Sequence, residues 1–301
     1  MKIDTLDLNF LDIPNAIAAY LVVGPDGPAL VETGPSSTLG TLQARLAEHG
    51  YAPPDIRHVL VTHMHLDHAG AAGWWAREHD AQVYVHHVGA PHLIDPAKLL
   101  NSARRIYGER MDTLWGEVLP VPAERVTALY DNQTISVAGL KFTALDTPGH
   151  ARHHHVFRLG DIAFAGDAAG IRLPGSPLIF LPSPPPEFDL EVWENTLARL
   201  QGENFATIYP THFGPIEDVP AHLETFNTLL RESAEFVHDR MQGGVERDAL
   251  VEQYTAWNRV RADALEVSEE TFQHYQATNP IFMAVDGIRR YWRKKATDKN
   301  G

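Results

Sequence analysis

Apolar residues over the first sixty positions come in short runs divided by turn residues, not at helical spacing. Leu6 to Leu11, Ile17 to Val23 and Ala29 to Glu32 read as strands, the last two joined by Gly24-Pro25-Asp26-Gly27. Ser36 or Ser37 then caps a helix ending at Gly50, with Leu39, Leu42 and Leu46 as its apolar face. Ile56 to Thr62 is a β-branched run ending in a His-rich turn, after which helical composition resumes from Ala69 to Glu78. Ala81 to Val85 reads as another strand. Pro96 to Val118 has helical spacing through Leu99, Ala103, Ile106 and Leu114, weakened at Gly108, within an insertion spanning about 92–125.

Strand-like runs return at Thr134 to Val137, Leu140 to Leu145, His155 to Leu159 and Ile162 to Ala165. Leu173 to Pro186 holds six prolines, which bar helix and central strand alike and predict an ordered loop, with Leu178, Ile179 and Phe180 as an apolar lip to a pocket. Beyond Leu190 the pattern is helical, and 221–295 predicts three helices, the last kinked near Asn279-Pro280. Strands alternate with helices in the first half and with turns bearing His and Asp in the second, and with the helices that follow, the chain reads as α/β.

Composition narrows the chemistry. Lys and Arg total 25 against 39 Asp and Glu, a formal charge of −14 that repels a phosphate backbone and argues against nucleic acid as a partner. There is no cysteine, which excludes a thiol nucleophile and thiolate metal ligands and leaves His and carboxylates as metal donors. Met1 to Val23 has no basic segment ahead of its apolar stretch, and no run approaches the ~18 apolar residues of a membrane helix. The expectation is a cytoplasmic protein acting on a small molecule, with no membrane partner; the oligomeric state is left open.

His63-Met64-His65-Leu66-Asp67-His68 follows a strand directly, and alternating ligands on such a turn aim two imidazoles at one metal and a carboxylate and imidazole at another. Thr62 to Gly70, THMHLDHAG, resembles the HxHxDH signature of the metallo-β-lactamase superfamily. Three further segments match that family in order: Thr147-Pro148-Gly149-His150, Gly166-Asp167 and Thr211-His212.

The resemblance, which covers roughly 1–215, implies a four-layer αββα sandwich, with 216–301 a helical extension packing on it. It further implies that His63, His65 and His150 hold one ion, that Asp67, His68 and His212 hold a second, and that Asp167 bridges them. Two such ions, zinc by default with iron or manganese as alternatives, share a water and yield hydroxide at neutral pH, with Asp67 and Asp167 as the catalytic carboxylates. The expected reaction is hydrolysis of a thioester or lactone, as in the glyoxalase II and lactonase branch. A mononuclear-iron sulfur dioxygenase and a small-molecule phosphodiesterase are the alternatives.

Around this set, Glu32 stands where relatives carry Asp in a DTG-like turn, a departure that puts its support of a ligand histidine in question. His154 has the spacing of the second His in the TPGHxxxH turn and is expected to support the ligands. Arg104, Arg105 and Tyr107 on the insertion are candidate substrate contacts, whereas His86 and His87 are assigned to packing or surface.

Overall fold

The computed structural model describes residues 1–298. β1 (Lys2–Asp7), β2 (Ala18–Gly24) and β3 (Gly27–Val31) form an antiparallel meander. Then α1 (Leu39–Glu48) leads to β4 (His58–Leu60), α2 (Leu66–Ala69) and α3 (Ala72–His79) to β5 (Gln82–His86), and α4 (Ala90–Ile94), α5 (Ala97–Tyr107) and α6 (Met111–Trp115) to β6 (Val126–Leu129). These crossovers make β3 to β6 parallel, as the helical returns require.

The second sheet contains β7 (Thr134–Val137), β8 (Leu140–Asp146), β9 (His155–Leu159) and β10 (Ile162–Gly166), each antiparallel to the next, and α7 (Leu190–Gly202) returns to β11 (Thr207–Pro210) parallel to β10. Four helices follow: α8 (Val219–Gln242), α9 (Arg247–Ala264), α10 (Glu269–Thr278) and α11 (Ile281–Asp298).

The two-residue period of a strand sorts side chains between layers. Tyr20, Val22, Leu60, Tyr84, Phe142 and Phe157 face the space between the sheets. Their neighbours Leu21, Val59, Val61, Val83 and Val85 pack outward against Leu42, Leu46 and Trp75 of the first helical layer. Leu145, Val156, Ala163 and Ala165 pack outward against Trp193, Phe226 and Val285 of the second. The result is the helix–sheet–sheet–helix sandwich.

Several boundaries depart from the sequence pattern. The first strand occupies Lys2–Asp7, earlier than Leu6 to Leu11, because the Asp7 carboxylate accepts from the N–H groups of Asn9 (2.9 Å) and Asn15 (3.0 Å) and folds the chain into a turn there. Ser36 and Ser37 do not cap α1. Their hydroxyls donate instead to Gly70 O and Leu114 O, tying this segment to α2 and α6. β6 and β11, too short to stand out as apolar runs, become strands through their parallel partners.

The insertion breaks at Gly108, where φ is 54°. The last two helices are fully separate, since Asn279 is extended ahead of Pro280. Leu178, Ile179 and Phe180 do not form a pocket lip: they are buried under the C-terminal helices, held by Tyr275, whose hydroxyl accepts from Leu173 N–H and donates to Leu178 O.

His222 fastens α8 to the sheet by donating from Nε2 to Ala169 O (2.8 Å), and burial pushes its pKa down to about 4. Its folded pKa lies below the unfolded value, so the unfolded chain binds more protons below about pH 6.5 and stability falls with acid down to about pH 4. We expect wild type to lose about 2 kcal/mol relative to His222→Leu between pH 7 and pH 5 in urea unfolding. Parallel pH curves for the two proteins would contradict this.

Candidate metal centre

The donor residues all sit just past strand ends. β8, β10 and β11 run the same way, as do β3 and β4, so the turns carrying His150, Asp167, His212, Glu32 and the His63–His68 segment meet at one edge of the sandwich. Two glycines permit the approach. A Cβ on Gly149 (φ 132°) would lie 2.4 Å from Trp193 Cβ, and one on Gly166 (φ 52°) 2.6 Å from His154 Nε2.

His63 Nε2 and His150 Nε2 lie 2.9 and 3.0 Å from His65 Nδ1. Three donors about 3.3 Å apart are what a tetrahedral ion at 2.0–2.1 Å requires. A second group joins Asp67, His68 and His212: Asp67 Oδ2 is 3.7 Å from His68 Nε2 and 3.5 Å from His212 Nε2. Asp167 stands between the groups. Its Oδ2 is 3.4 Å from His150 Nε2, while Oδ1 is 3.4 Å from His68 Nε2 and 3.5 Å from His212 Nε2.

The rear nitrogens are fixed by the fold. His150 Nδ1–H donates to Pro182 O (2.6 Å) and His212 Nδ1–H to Ala16 O (2.7 Å), leaving both Nε2 lone pairs facing inward. Glu32, buried and at φ 65°, accepts from Thr62, from Thr211 Oγ1 (3.2 Å) and from His68 Nδ1 (3.2 Å). The extra methylene of Glu therefore does not forfeit the support expected of Asp. His154 Nε2 accepts from Asp167 N–H (3.2 Å), so its Nδ1–H points to Thr147 Oγ1 (2.7 Å). It holds the Asp167 backbone and faces no ion.

Electrostatics fit a cation. Burial, reinforced by neighbouring imidazoles, drives His63 well below its ordinary pKa and His65 down to about 3, keeping both in the neutral, ligating form. Burial alone would raise Asp67 and Asp167, yet the surrounding histidines hold both carboxyls low. Burial opposes charge on His68 and His212 too, but the carboxylates push both up, marking a position that attracts positive charge. His68 Nε2 and Asp167 Oδ1 are buried without a hydrogen-bond partner, the condition a bound divalent ion would relieve.

Above this cluster lies a cavity of about 430 Å³. The insertion supplies one wall through α5 and α6, the prolines Pro182 to Pro186 another, and the junction of α10 and α11 a third. Tyr107 lines it as expected, and burial, together with Asp67, raises its phenol pKa so that it stays a neutral donor. Arg104 does not line it; exposed on the opposite side of α5, it bonds Asn101 (3.4 Å). Asn279 and Pro280, assigned only a kink, do face it. Not singled out from sequence were Lys98, Arg110 and the pair His153 Nε2–Glu187 (3.4 Å), for which helix phase and chain crossing, invisible in one sequence, decide the location. His86 bonds Asp146 (3.0 Å) and His87 stacks on Tyr130, both away from the cavity.

Comparison with known proteins identifies the family and the fold. A family model described as the metallo-beta-lactamase superfamily matches residues 12–212. The metallo-beta-lactamase fold-containing protein ST1585 of Sulfurisphaera tokodaii is 25% identical over 192 residues, 63% of this chain and 69% of that one. An atrochrysone carboxyl ACP thioesterase of Aspergillus fumigatus is 30% identical over 181 residues, 58% of this chain and 42% of that one. The chain thus spans less than half of that relative, and 53% of the lactamase-like protein adaB of Aspergillus niger. The crystal structure of TTHA1429 from Thermus thermophilus, a metallo-beta-lactamase family protein, superposes with TM-score 0.70 at 23% identity, covering 98% of this chain and 94% of that one, so the fold is shared through the C-terminal helices.

Proposed function

Because this chain belongs to the metallo-beta-lactamase superfamily and is a metal-dependent hydrolase, we propose that it cleaves an ester-type bond, a thioester before a lactone, at a pair of divalent ions. His63, His65 and His150 hold one ion, and Asp67, His68 and His212 the other. The observation that carries this reading is the Asp167 carboxylate, with Oδ2 toward the first group and Oδ1 toward the second. Zinc suits the all-nitrogen and oxygen donor set, and iron or manganese would also be accepted.

Divalent ions held there would supply a Lewis acid for a carbonyl oxygen and would lower the pKa of water towards ~7. The chain's own residues do the rest. Glu32, Pro182 O and Ala16 O fix the ligand rings, and Tyr107 offers a neutral O–H to the substrate. Asp67, whose side chain is 26% exposed against 5% for Asp167, is the carboxylate of the donor set more open to the cavity. A thioester is favoured by the thioesterase activity of the Aspergillus fumigatus relative and by the largely apolar cavity walls.

The test is thiol release from hexanoyl-N-acetylcysteamine by metal-loaded protein. We expect turnover at a kcat/KM about tenfold or more above that for a lactone of matched carbon number. Oxygen uptake and sulfite formation from a persulfide, with no thiol release from the thioester, would overturn the hydrolase reading in favour of the single-iron dioxygenase.

A further inference from the structure

α5 contributes Lys98, Ser102 and Ile106 to the cavity at four-residue spacing, so one face of the helix looks into it, and Arg110 joins them from the turn after the break at Gly108. Within α5 only Ala103 is buried. This helix is therefore shaped for what enters the cavity more than for the core beneath.

Two cations line this cavity. The chain carries a formal charge of −14, and about half of its guanidinium groups find carboxylates, as in Arg125–Asp80, Arg172–Asp218, Arg199–Asp131 and Arg247–Asp286. Lys98 and Arg110 have no carboxylate partner among the described residues. The acids around the cavity are otherwise engaged: Asp67 and Asp167 belong to the metal donors, Glu32 lies beneath them bonded to Thr62 and His68, and Glu187 takes His153 and Arg152 N–H (3.0 Å). Lys98 and Arg110 therefore stand at the cavity as cations without carboxylate partners on a negative molecule. Such a local field draws in anions that the rest of the surface repels.

We propose that the substrate carries an anionic group, a carboxylate or phosphate, which Lys98 holds at the start of α5, while Arg110, beyond the other end of the helix, takes a second anionic position and the apolar part lies against Ile106, Trp115 and Phe282. This rests on the hydrolase reading above and adds the substrate class. Tyr107 stands beside Asp67 and Lys98 about 14 Å back along α5, so an anion at Lys98 sits at the far end of an extended arm from the scissile bond. Arg110, with its planar fork, suits a second anionic oxygen pair.

Three thioesters sharing a six-carbon acyl chain test this: neutral hexanoyl-N-acetylcysteamine, hexanoyl-coenzyme A with anions on the thiol arm, and the adipic acid monothioester of N-acetylcysteamine with its anion on the acyl end. We expect at least one anionic substrate to exceed the neutral one about tenfold in kcat/KM at low salt, the identity of the better one showing which end binds at α5. The advantage shrinks in about 0.5 M KCl and inverts in the double variant Lys98→Glu/Arg110→Glu, checked for retained metal content. Equal or better cleavage of the neutral thioester, or an anion preference that survives charge reversal, overturns the proposal and leaves the hydrolase reading intact. If metal-replete protein cleaves none of the three, the thioesterase reading itself fails and the proposal with it.

Discussion

Asp167→Asn is expected to lower kcat/KM for thioester cleavage by about 10²–10⁴-fold while the protein remains folded. The side chain keeps its shape, so packing against the His154 ring and the 3.2 Å bond from its own N–H to His154 Nε2 need not change. What changes is charge and acceptor count. Oδ2 faces the His150 group and Oδ1 the His68 and His212 group, and an amide turns N–H toward one of them. The expected span corresponds to about 3–5 kcal/mol of lost transition-state stabilisation. Steady-state kinetics beside a far-ultraviolet circular dichroism spectrum checks it. A variant within threefold of wild type would show that Asp167 does not link two ions.

Chelation is expected to lower the melting temperature by on the order of 10 °C or more, reversibly on adding zinc. A ligand at 1,000 times its Kd contributes about 4 kcal/mol, and a domain of 150–250 residues shifts by about 2–4 °C per kcal/mol. The cause lies in the donor set. Without a cation, His68 Nε2 and Asp167 Oδ1 are buried with no partner, and the carboxylates of Asp67 and Asp167 face each other across His68 and His212. Scanning calorimetry with and without a chelator decides it, and an unmoved transition would mean that these groups are satisfied by protons alone.

The residues that build the centre were legible because their spacing is local. His63 to His68 lie on one turn, His150 and Asp167 each follow a readable apolar run, and His212 was placed by its order in the family pattern. The sandwich was legible through the family resemblance alone, because strands such as Ala18 to Val23 are buried on both faces and read as continuous apolar runs without a period of two. What stayed hidden depends on segments far apart. Glu32 reads as a departure from an Asp pattern, and its bonds to Thr62, His68 and Thr211 exist only once three strand ends converge. The choice of Arg104 over Lys98 and Arg110 failed because α5 buries only Ala103, too little apolar signal to fix its phase. Six prolines marked 173–186 as a loop without showing that Leu178 to Phe180 turn toward the C-terminal helices while Pro182 to Pro186 turn toward the cavity.

The central claim is that two ions share the Asp167 carboxylate, and metal stoichiometry by plasma mass spectrometry tests it most directly. Protein purified without added metal should carry about two zinc, iron or manganese ions per chain, falling in both Asp167→Ala and His212→Ala. One iron per chain, unchanged by His212→Ala, would contradict it.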